Sequence, residues 1–362
     1  MAIGSETRQS EEPTMTDTTN TIHAPARVGH RVPSLGEAIV MKAMLSTTYG
    51  SPDVLRLQDV AKPTPRDNEV LVRVHAASVN AADWHYLRGT PLVFRFQSGL
   101  LKPKIQILGA DIAGRVEAVG RSVKVFQPGD EVFGDISGRG FGGFAEYVAV
   151  AEDALVVKPA NLTFEQAAAV PMAAVTALQA LRDTGQIKAG QNVLINGASG
   201  GVGTFAVQIA KAYGAEVTAV CSTSKVDLVR SLGADHVIDY TQEDFTRNGQ
   251  QYDLIVAANG YHPISAYKRA LTPGGTYVMS GGSMPQIFQA LLLGPWMSMA
   301  GTTKMRAGGA GPSTKDLAFV KELLEARKVV PVIDRCYPLS EVAAAIRYLE
   351  EGHARGKVVI SV

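Results

Sequence analysis

With 362 residues the chain is longer than a single core usually grows, so two domains are expected. Apolar residues make up 46% and charged residues 19%, which excludes a disordered or fibrous chain. The 35 basic and 34 acidic side chains leave a net charge of +1, so no global field holds nucleic acid or an anionic membrane, and small-molecule chemistry is favoured.

Residues 1 to 40 are rich in Thr, Ser, Glu, Pro and Gly and keep no period, which reads as a disordered leader with Met41 as a candidate start. They lack the basic start, apolar middle and small-residue cleavage site of a secretory signal, so a cytoplasmic location is expected. From Met41 short β patterns follow one another: MKAMLSTTYG, EVLVRVHAASVN, GADIAGRVEAVG, DEVFGDI, GGFAEYVAV and ALVVKP. Each is rich in Val, Ile, Ala or aromatics and bounded by Gly, Pro or Asp, the texture of a barrel-like β unit.

After Pro159 the texture changes. LTFEQAAAVPMAAVTALQALRDTG has the composition and length of a helix, and short apolar strands then alternate with helices. The strands read QNVLING, EVTAVC, HVIDY, DLIVAA and GGTYVMSG; the helices include VGTFAVQIAKAYG and SKVDLVRSLGA. Continuous apolar strands separated by helices predict a parallel, doubly wound sheet covered on both faces. The run Ile287 to Trp296 is broken by Gly294 and Pro295 and falls short of the roughly 20 apolar residues a membrane span needs. It reads as a buried or interfacial helix, and the segment 284–306 around it fits a substrate pocket, a dimer contact or a buried loop. A Gly-rich linker at Ala307–Pro312 leads to two further helices, KDLAFVKELLEARKV and SEVAAAIRYLEEG, and a last strand, GKVVISV.

The strongest local signal is NVLINGASGGVGTFAVQIAKAYGAEVTAVC, a strand, a Gly-rich turn, a helix and a second strand. Ala198, Gly200 and Gly203 take the three positions of the G-x-G-x-x-G fingerprint, with Ala in place of the first glycine. Such a turn is tight, lets the backbone approach a pyrophosphate and packs the helix on the strand. The intervening Ser199, Gly201 and Val202 would offer free N–H groups at the positive end of the helix. At the end of the second strand, where an NAD site carries Asp or Glu for the ribose 2′-hydroxyl, the chain reads Cys221, Ser222, Thr223, Ser224, Lys225. Hydroxyls and an ammonium with no carboxylate suit a 2′-phosphate, so NADPH is the expected cofactor. The plain alternative is an ordinary helix N-terminus.

Taken together, the β-rich first part, GADIAGRVEAVG, FQPGDEVFG, the VPMAAVTALQAL helix and the NGASGGVG turn resemble the medium-chain dehydrogenase/reductase superfamily over residues 41 to 362. The resemblance implies an α/β protein with a GroES-like β-rich catalytic domain over 41–163 and 313–362. Inserted in it would be a Rossmann domain, a doubly wound parallel sheet, over 164–312, with the active site in the cleft between them. It further implies that Val175 and Thr176 lie near the nicotinamide ribose, that Asn259, Gly260, Gly281 and Gly282 line the cofactor cleft, and that Tyr240 flanks the adenosine side. The zinc enzymes of that superfamily use an early Cys, a Gly-His-Glu segment and a later Cys. Here Asn80 stands for the first Cys, Ala110 and Asp111 for His-Glu, and no Cys lies near Met172, so no metal is expected.

What remains resembles the zinc-free quinone oxidoreductase branch, carried by SVNAADWHYLRG with Asn80 and Asp83. That branch implies a homodimer and hydride transfer from NADPH to a small electrophile, a quinone or an α,β-unsaturated carbonyl, without a Lewis acid. Candidate catalytic groups are Asn80 as amide donor, Asp83 as orienter, and His85 or Tyr86 as hydrogen-bond donor or proton source. Each also has an ordinary structural reading as a turn or a packed ring. The alternatives for the whole chain are an alcohol or aldehyde dehydrogenase of the same superfamily and a non-enzymatic, crystallin-like NADPH-binding protein.

Overall fold

The computed structural model describes residues 39–362 apart from 283–285, 287–288, 290–291, 300–301 and 309–310. Most of the expected leader therefore lies outside the described residues, but Ile39 and Val40 already belong to the folded chain. The Lys62 N–H donates to the Ile39 carbonyl, and Val40 opens β1 (Val40–Leu45), paired antiparallel with β2 (Arg56–Ala61).

The β-rich part is organised around β3 (Glu69–Val79), an eleven-residue strand whose Val/Ala content suits burial on both faces. It leads through Asn80 into helix α1 (Ala81–Arg88) and then α2 (Val93–Ser98). Strand β4 (Asp111–Val119) pairs with one side of β3, and β5 (Glu131–Asp135) with β4. On its other side β3 meets β6 (Tyr147–Ala151) over Glu69–Arg73. The edge beyond β5 is the short β7 (Val156–Val157).

The segment expected as one helix is two, α3 (Phe164–Ala168) and α4 (Pro171–Leu178). Pro171 explains the break: with no N–H and a fixed φ it cannot continue α3, and it sits instead in the first turn of α4. Next come β8 (Asn192–Asn196), α5 (Gly201–Ala212), β9 (Glu216–Cys221), α6 (Val226–Ser231), β10 (His236–Asp239), β11 (Tyr252–Ala257), α7 (Ile264–Arg269) and β12 (Leu271–Met279). Helix α8 (Gly294–Met299) and β13 (Lys304–Ala307) complete this part. Its six strands lie in the order β10-β9-β8-β11-β12-β13, every pair parallel. This is the doubly wound Rossmann order, and its strand order reverses between β8 and β11, where such sheets bind ligands.

After α9 (Thr314–Glu325) the chain returns to the first sheet: β14 (Ile333–Pro338) runs parallel to β15 (Lys357–Ser361), with α10 (Val342–Glu350) between them. Strand β15 pairs antiparallel with the end of β3, Val358 opposite Val79. The final strand therefore ends up beside Asn80. Ala76, Ala113, Phe133 and Val359 of this sheet share one apolar core with α3, α4 and Val193, Ile195 and Val256 of the Rossmann sheet.

Candidate active site

At the end of β8 the chain turns through Gly197, whose φ of 81° favours glycine. The left-handed residue of the turn is thus Gly197, one place before Ala198, which is buried. The three fingerprint positions meet different constraints. A Cβ on Gly203 would sit 2.1 Å from the Gly197 carbonyl oxygen, so this glycine lets α5 close on the strand. At Gly200, the α5 N-cap, a Cβ would meet only the Gly197 carbonyl oxygen at 3.6 Å, an ordinary contact. Gly201 and Val202 form the first turn of α5, with Gly201 against the Lys357 stem.

Beyond this turn lies a cleft of about 510 Å³. Of the residues singled out in the sequence it brings together Ser199, Gly200, Ser222, Lys225, Tyr240, Asn259 and Gly260. Thr223 and Ser224 are exposed beside it. The Thr223 hydroxyl donates to Asp239, a carboxylate from the end of β10 that the strand-end reading did not find. Gly281 follows β12, where a Cβ would meet the Ala258 carbonyl oxygen at 2.3 Å, and Gly282 (φ 118°) abuts Gln286. Val175 lines a different hollow of about 370 Å³, with Asp135, Pro171 and Leu317, and Thr176 is buried in α4.

Sequence reasoning missed the loop that closes the cleft from the other part of the chain. Gly352 and Ala354 line it, the Gly356 N–H donates to the Ser199 carbonyl at 2.9 Å, and Gly200 and Gly356 form a parallel bridge. The glycine pair flanking HAR before the last strand was the available signal. Lys225 donates to the Ala354 carbonyl at 3.3 Å. Burial, helped by the nearby Arg355 guanidinium, lowers the pKa of its ammonium. The Lys225 ammonium is thus a cation lining this end of the cleft, favourable for a phosphate. The Cys221 thiol is pushed up to about 11 by burial and the neighbouring Asp239, which leaves it inert.

At the other end β3, β4, β15 and α4 converge. Asp111, fully buried, accepts from the Ser78 hydroxyl at 2.9 Å, the Asn80 amide at 2.9 Å and the Met172 N–H at 2.9 Å. The Lys357 ammonium, 3% exposed, lies 3.5 Å from it and donates to the Asn80 side-chain oxygen. The Asn80 amide also reaches the Ser78 carbonyl at 3.4 Å. Its hydrogens are therefore directed inward, as part of a scaffold. Asp83 accepts from the N–H groups of Asn80 (2.8 Å) and Gly109 (3.0 Å), tying α1 to the loop before β4, and burial pushes its carboxyl up to about 7.

His85 pairs through Nδ1 with the Thr90 carbonyl at 2.9 Å and stacks on Phe94 at 5.2 Å. Burial lowers its pKa, so the ring is held neutral; with Nδ1–H donating, Nε2 is an acceptor. Tyr86 lies between Phe94 and Phe141, and burial keeps its phenol protonated. Three further histidines are packed or surface-paired: His75 stacks on Phe164, His262 meets Phe245 and Tyr267, and His236 pairs with Glu216.

Asn80, Asp111 and Met172, separated in sequence, are thus brought together. As a donor set, one amide, one carboxylate and an adjacent ammonium do not fit Zn²⁺, which needs several thiolate, imidazole or carboxylate ligands and no cation among them. Among the described residues no group of three or more His, Cys, Asp or Glu could hold a metal ion.

A Rossmann sheet whose switch point opens on a Gly turn, joined to a β-rich part carrying polar groups, fits a nicotinamide-dependent oxidoreductase. Two family models match: an alcohol dehydrogenase GroES-like domain over residues 66–160 and a zinc-binding dehydrogenase domain over 232–360. A tomato (Solanum lycopersicum) 2-methylene-furan-3-one reductase is 37% identical over 338 residues, 88% of this chain and 79% of that protein. The mouse (Mus musculus) mitochondrial NAD(P)H oxidoreductase RTN4IP1 is 37% identical over 357 residues, 89% of each chain. The solved quinone oxidoreductase of Coxiella burnetii superposes with a TM-score of 0.79 at 31% identity, covering 90% of this chain and all of that one. The chain belongs to the medium-chain dehydrogenase/reductase superfamily, in its quinone oxidoreductase-like branch.

Proposed function

We propose that the protein is an NADPH-dependent, zinc-independent reductase of quinones and α,β-unsaturated carbonyls. The observation that carries this reading is the pairing of two features in one molecule. One is a dinucleotide cleft lined by Ser222 and Lys225 beyond the glycine turn, where the adenosine end of the cofactor would lie. The other is a buried ammonium-carboxylate cluster, Lys357 with Asp111, where zinc relatives carry their ligands. NADPH, when bound, supplies the hydride. We place the catalytic part at 41–163 and 313–362 and the cofactor part at 164–312.

In this reading the first turn of α5 offers backbone N–H groups to the pyrophosphate, with Gly200 leaving room for it. Val175, Thr176, Gly281 and Gly282 border the nicotinamide half. Asn80 and Asp83 position α1, and Tyr86 donates the proton that the substrate needs beside the hydride. His85, neutral with its Nδ1 on Thr90, orients α1 and the ring of Phe94. Tyr86→Phe then slows enone reduction by about 10²-fold or more, whereas His85→Gln has little effect.

The exposed edge strand β13, with Trp296 and Met299 uncovered beside it, supports a homodimer. These side chains lie in the segment 284–306, part of which is outside the described residues. Among the described residues no helix is long and apolar enough to cross a membrane, and we place the enzyme in the cytoplasm.

The test is NADPH oxidation against a panel of quinones, enones and saturated aldehydes, with and without a chelator. Chelator-insensitive turnover of the first two classes supports the proposal. Turnover of alcohols or aldehydes that a chelator abolishes refutes it.

A further inference from the structure

The segment between Asp83 and Asp111 contains no acidic residue and four cations, of which Arg88 is paired with Glu350 and Arg95 donates to the Gly89 carbonyl, leaving Lys102 and Lys104 exposed. Helix α2 is turned so that Phe94 packs inward on His85 and Tyr86 and Ser98 is buried. That orientation leaves the opposite face outward. Leu92 (65% exposed), Val93 (57%) and Phe96 (73%) stand on it at three- and four-residue spacing, so they form one stripe.

After Gly99 the chain folds back on the helix end. The Lys104 N–H donates to the Ser98 carbonyl at 2.5 Å, and Tyr49 hydrogen-bonds Ser98 and Gly99. In this return Leu100 (61%) and Leu101 (91%) are exposed, as are Lys102 and Lys104. Five large apolar side chains in ten residues exceed the scattered exposure a soluble surface normally shows.

We infer that this apolar face, with its exposed lysines, docks on an anionic lipid bilayer. Two features of the surface select that occupant. The exposed Lys102 and Lys104 match a negative surface, and the protruding Leu and Phe tips suit insertion at the headgroup level. The balanced charge of the whole chain does not oppose this, because a bilayer reads the local stripe within a Debye length. Through Phe94 and Tyr86 the same helix touches the group that the proposed reductase uses. Docking would bring a lipophilic quinone or enone to the cleft from the membrane. The inference rests on the proposed function only for this purpose, not for the binding.

The experiment is co-sedimentation of the full chain with phosphatidylcholine vesicles, with and without phosphatidylserine. It is repeated with Phe96→Asp/Leu101→Asp, neither residue being part of the catalytic groups. The expected result is partition about tenfold or more stronger onto the phosphatidylserine vesicles, weakened by added salt and lowered about tenfold or more by the double substitution. Oxidation of NADPH with a water-soluble quinone should be unchanged in the variant. Three results overturn the inference: no association with either vesicle, association that the substitution does not alter, or a variant whose sedimentation mass falls by half, which makes the face a contact between two copies. Lost NADPH oxidation in both proteins, with vesicle binding intact, would instead count against the function and leave the surface standing.

Discussion

The Lys357 ammonium and the Asp111 carboxylate face each other 3.5 Å apart with almost no exposure, joining the last strand of the chain to β4. Two charges are taken out of water there, and neither is easily left alone. Lys357→Met strands Asp111 and should cost about 3–5 kcal/mol of unfolding free energy. Lys357→Met combined with Asp111→Asn should recover part of that loss, because the uncompensated charge is gone. Denaturant midpoints of the two single variants and the double variant check the coupling.

The glycines of the turn separate packing from binding. Gly203→Ala places a methyl 2.1 Å from the Gly197 oxygen and should prevent stable folding of the cofactor part. Gly200→Ala meets nothing closer than 3.6 Å, so its thermal stability should fall by about 1 kcal/mol or less. Its added methyl should nevertheless weaken NADPH binding about tenfold or more, read by fluorescence titration, since it stands where the pyrophosphate approaches.

In the proposed function Lys225 recognises the 2′-phosphate of the cofactor. Lys225→Met should raise the Kd for NADPH by about tenfold or more, a charge-assisted contact being worth 1.4 kcal/mol or above, and leave that for NADH nearly unchanged. Equal losses for both cofactors in calorimetric titration would place the residue outside phosphate recognition.

Asp135 lies opposite Asp111 across the β4–β5 pair, and burial together with the Asp111 charge raises its pKa. A carboxyl with a raised folded pKa binds more protons folded than unfolded, so its contribution to stability falls as pH rises from the ordinary carboxylate range to the folded value. Asp135→Asn removes that contribution while its side-chain oxygen can still accept from the Ser137 N–H. Relative to the native chain the variant should therefore gain stability from pH 5 to pH 8, measured by urea unfolding at constant ionic strength. A difference that does not change with pH contradicts the raised pKa.

Five of the six strands of the parallel sheet were legible because they are short apolar runs and the turn is written in consecutive residues, Gly197 to Gly203; β13 was not, since KMRA is short and half polar and starts in the segment read as a pocket, dimer contact or buried loop. Recognition of the family supplied the contribution of the last strand to the first sheet, which periodicity alone does not carry. Less legible were features made by residues far apart in sequence. Lys357 was read only as part of a strand, since nothing local says that β15 lies against Asn80 and Asp111. Asp239 sits one strand away from the position where a carboxylate is sought, and it reaches Thr223 only through the parallel register of β9 and β10. Pro171 was visible in the sequence, yet the Ala-rich stretch around it outweighed the break. The inward direction of the Asn80 amide could not be read at all, because it depends on three partners from β3, β4 and β15.

The position that receives the hydride tests the proposed reaction most directly. The chelator-treated enzyme, given NADPH deuterated at the transferring position of the nicotinamide and a simple enone, should yield a saturated ketone with one deuterium on the β-carbon, read by NMR. Deuterium on the carbonyl carbon, in an allylic alcohol, or turnover only after zinc is restored, would contradict it.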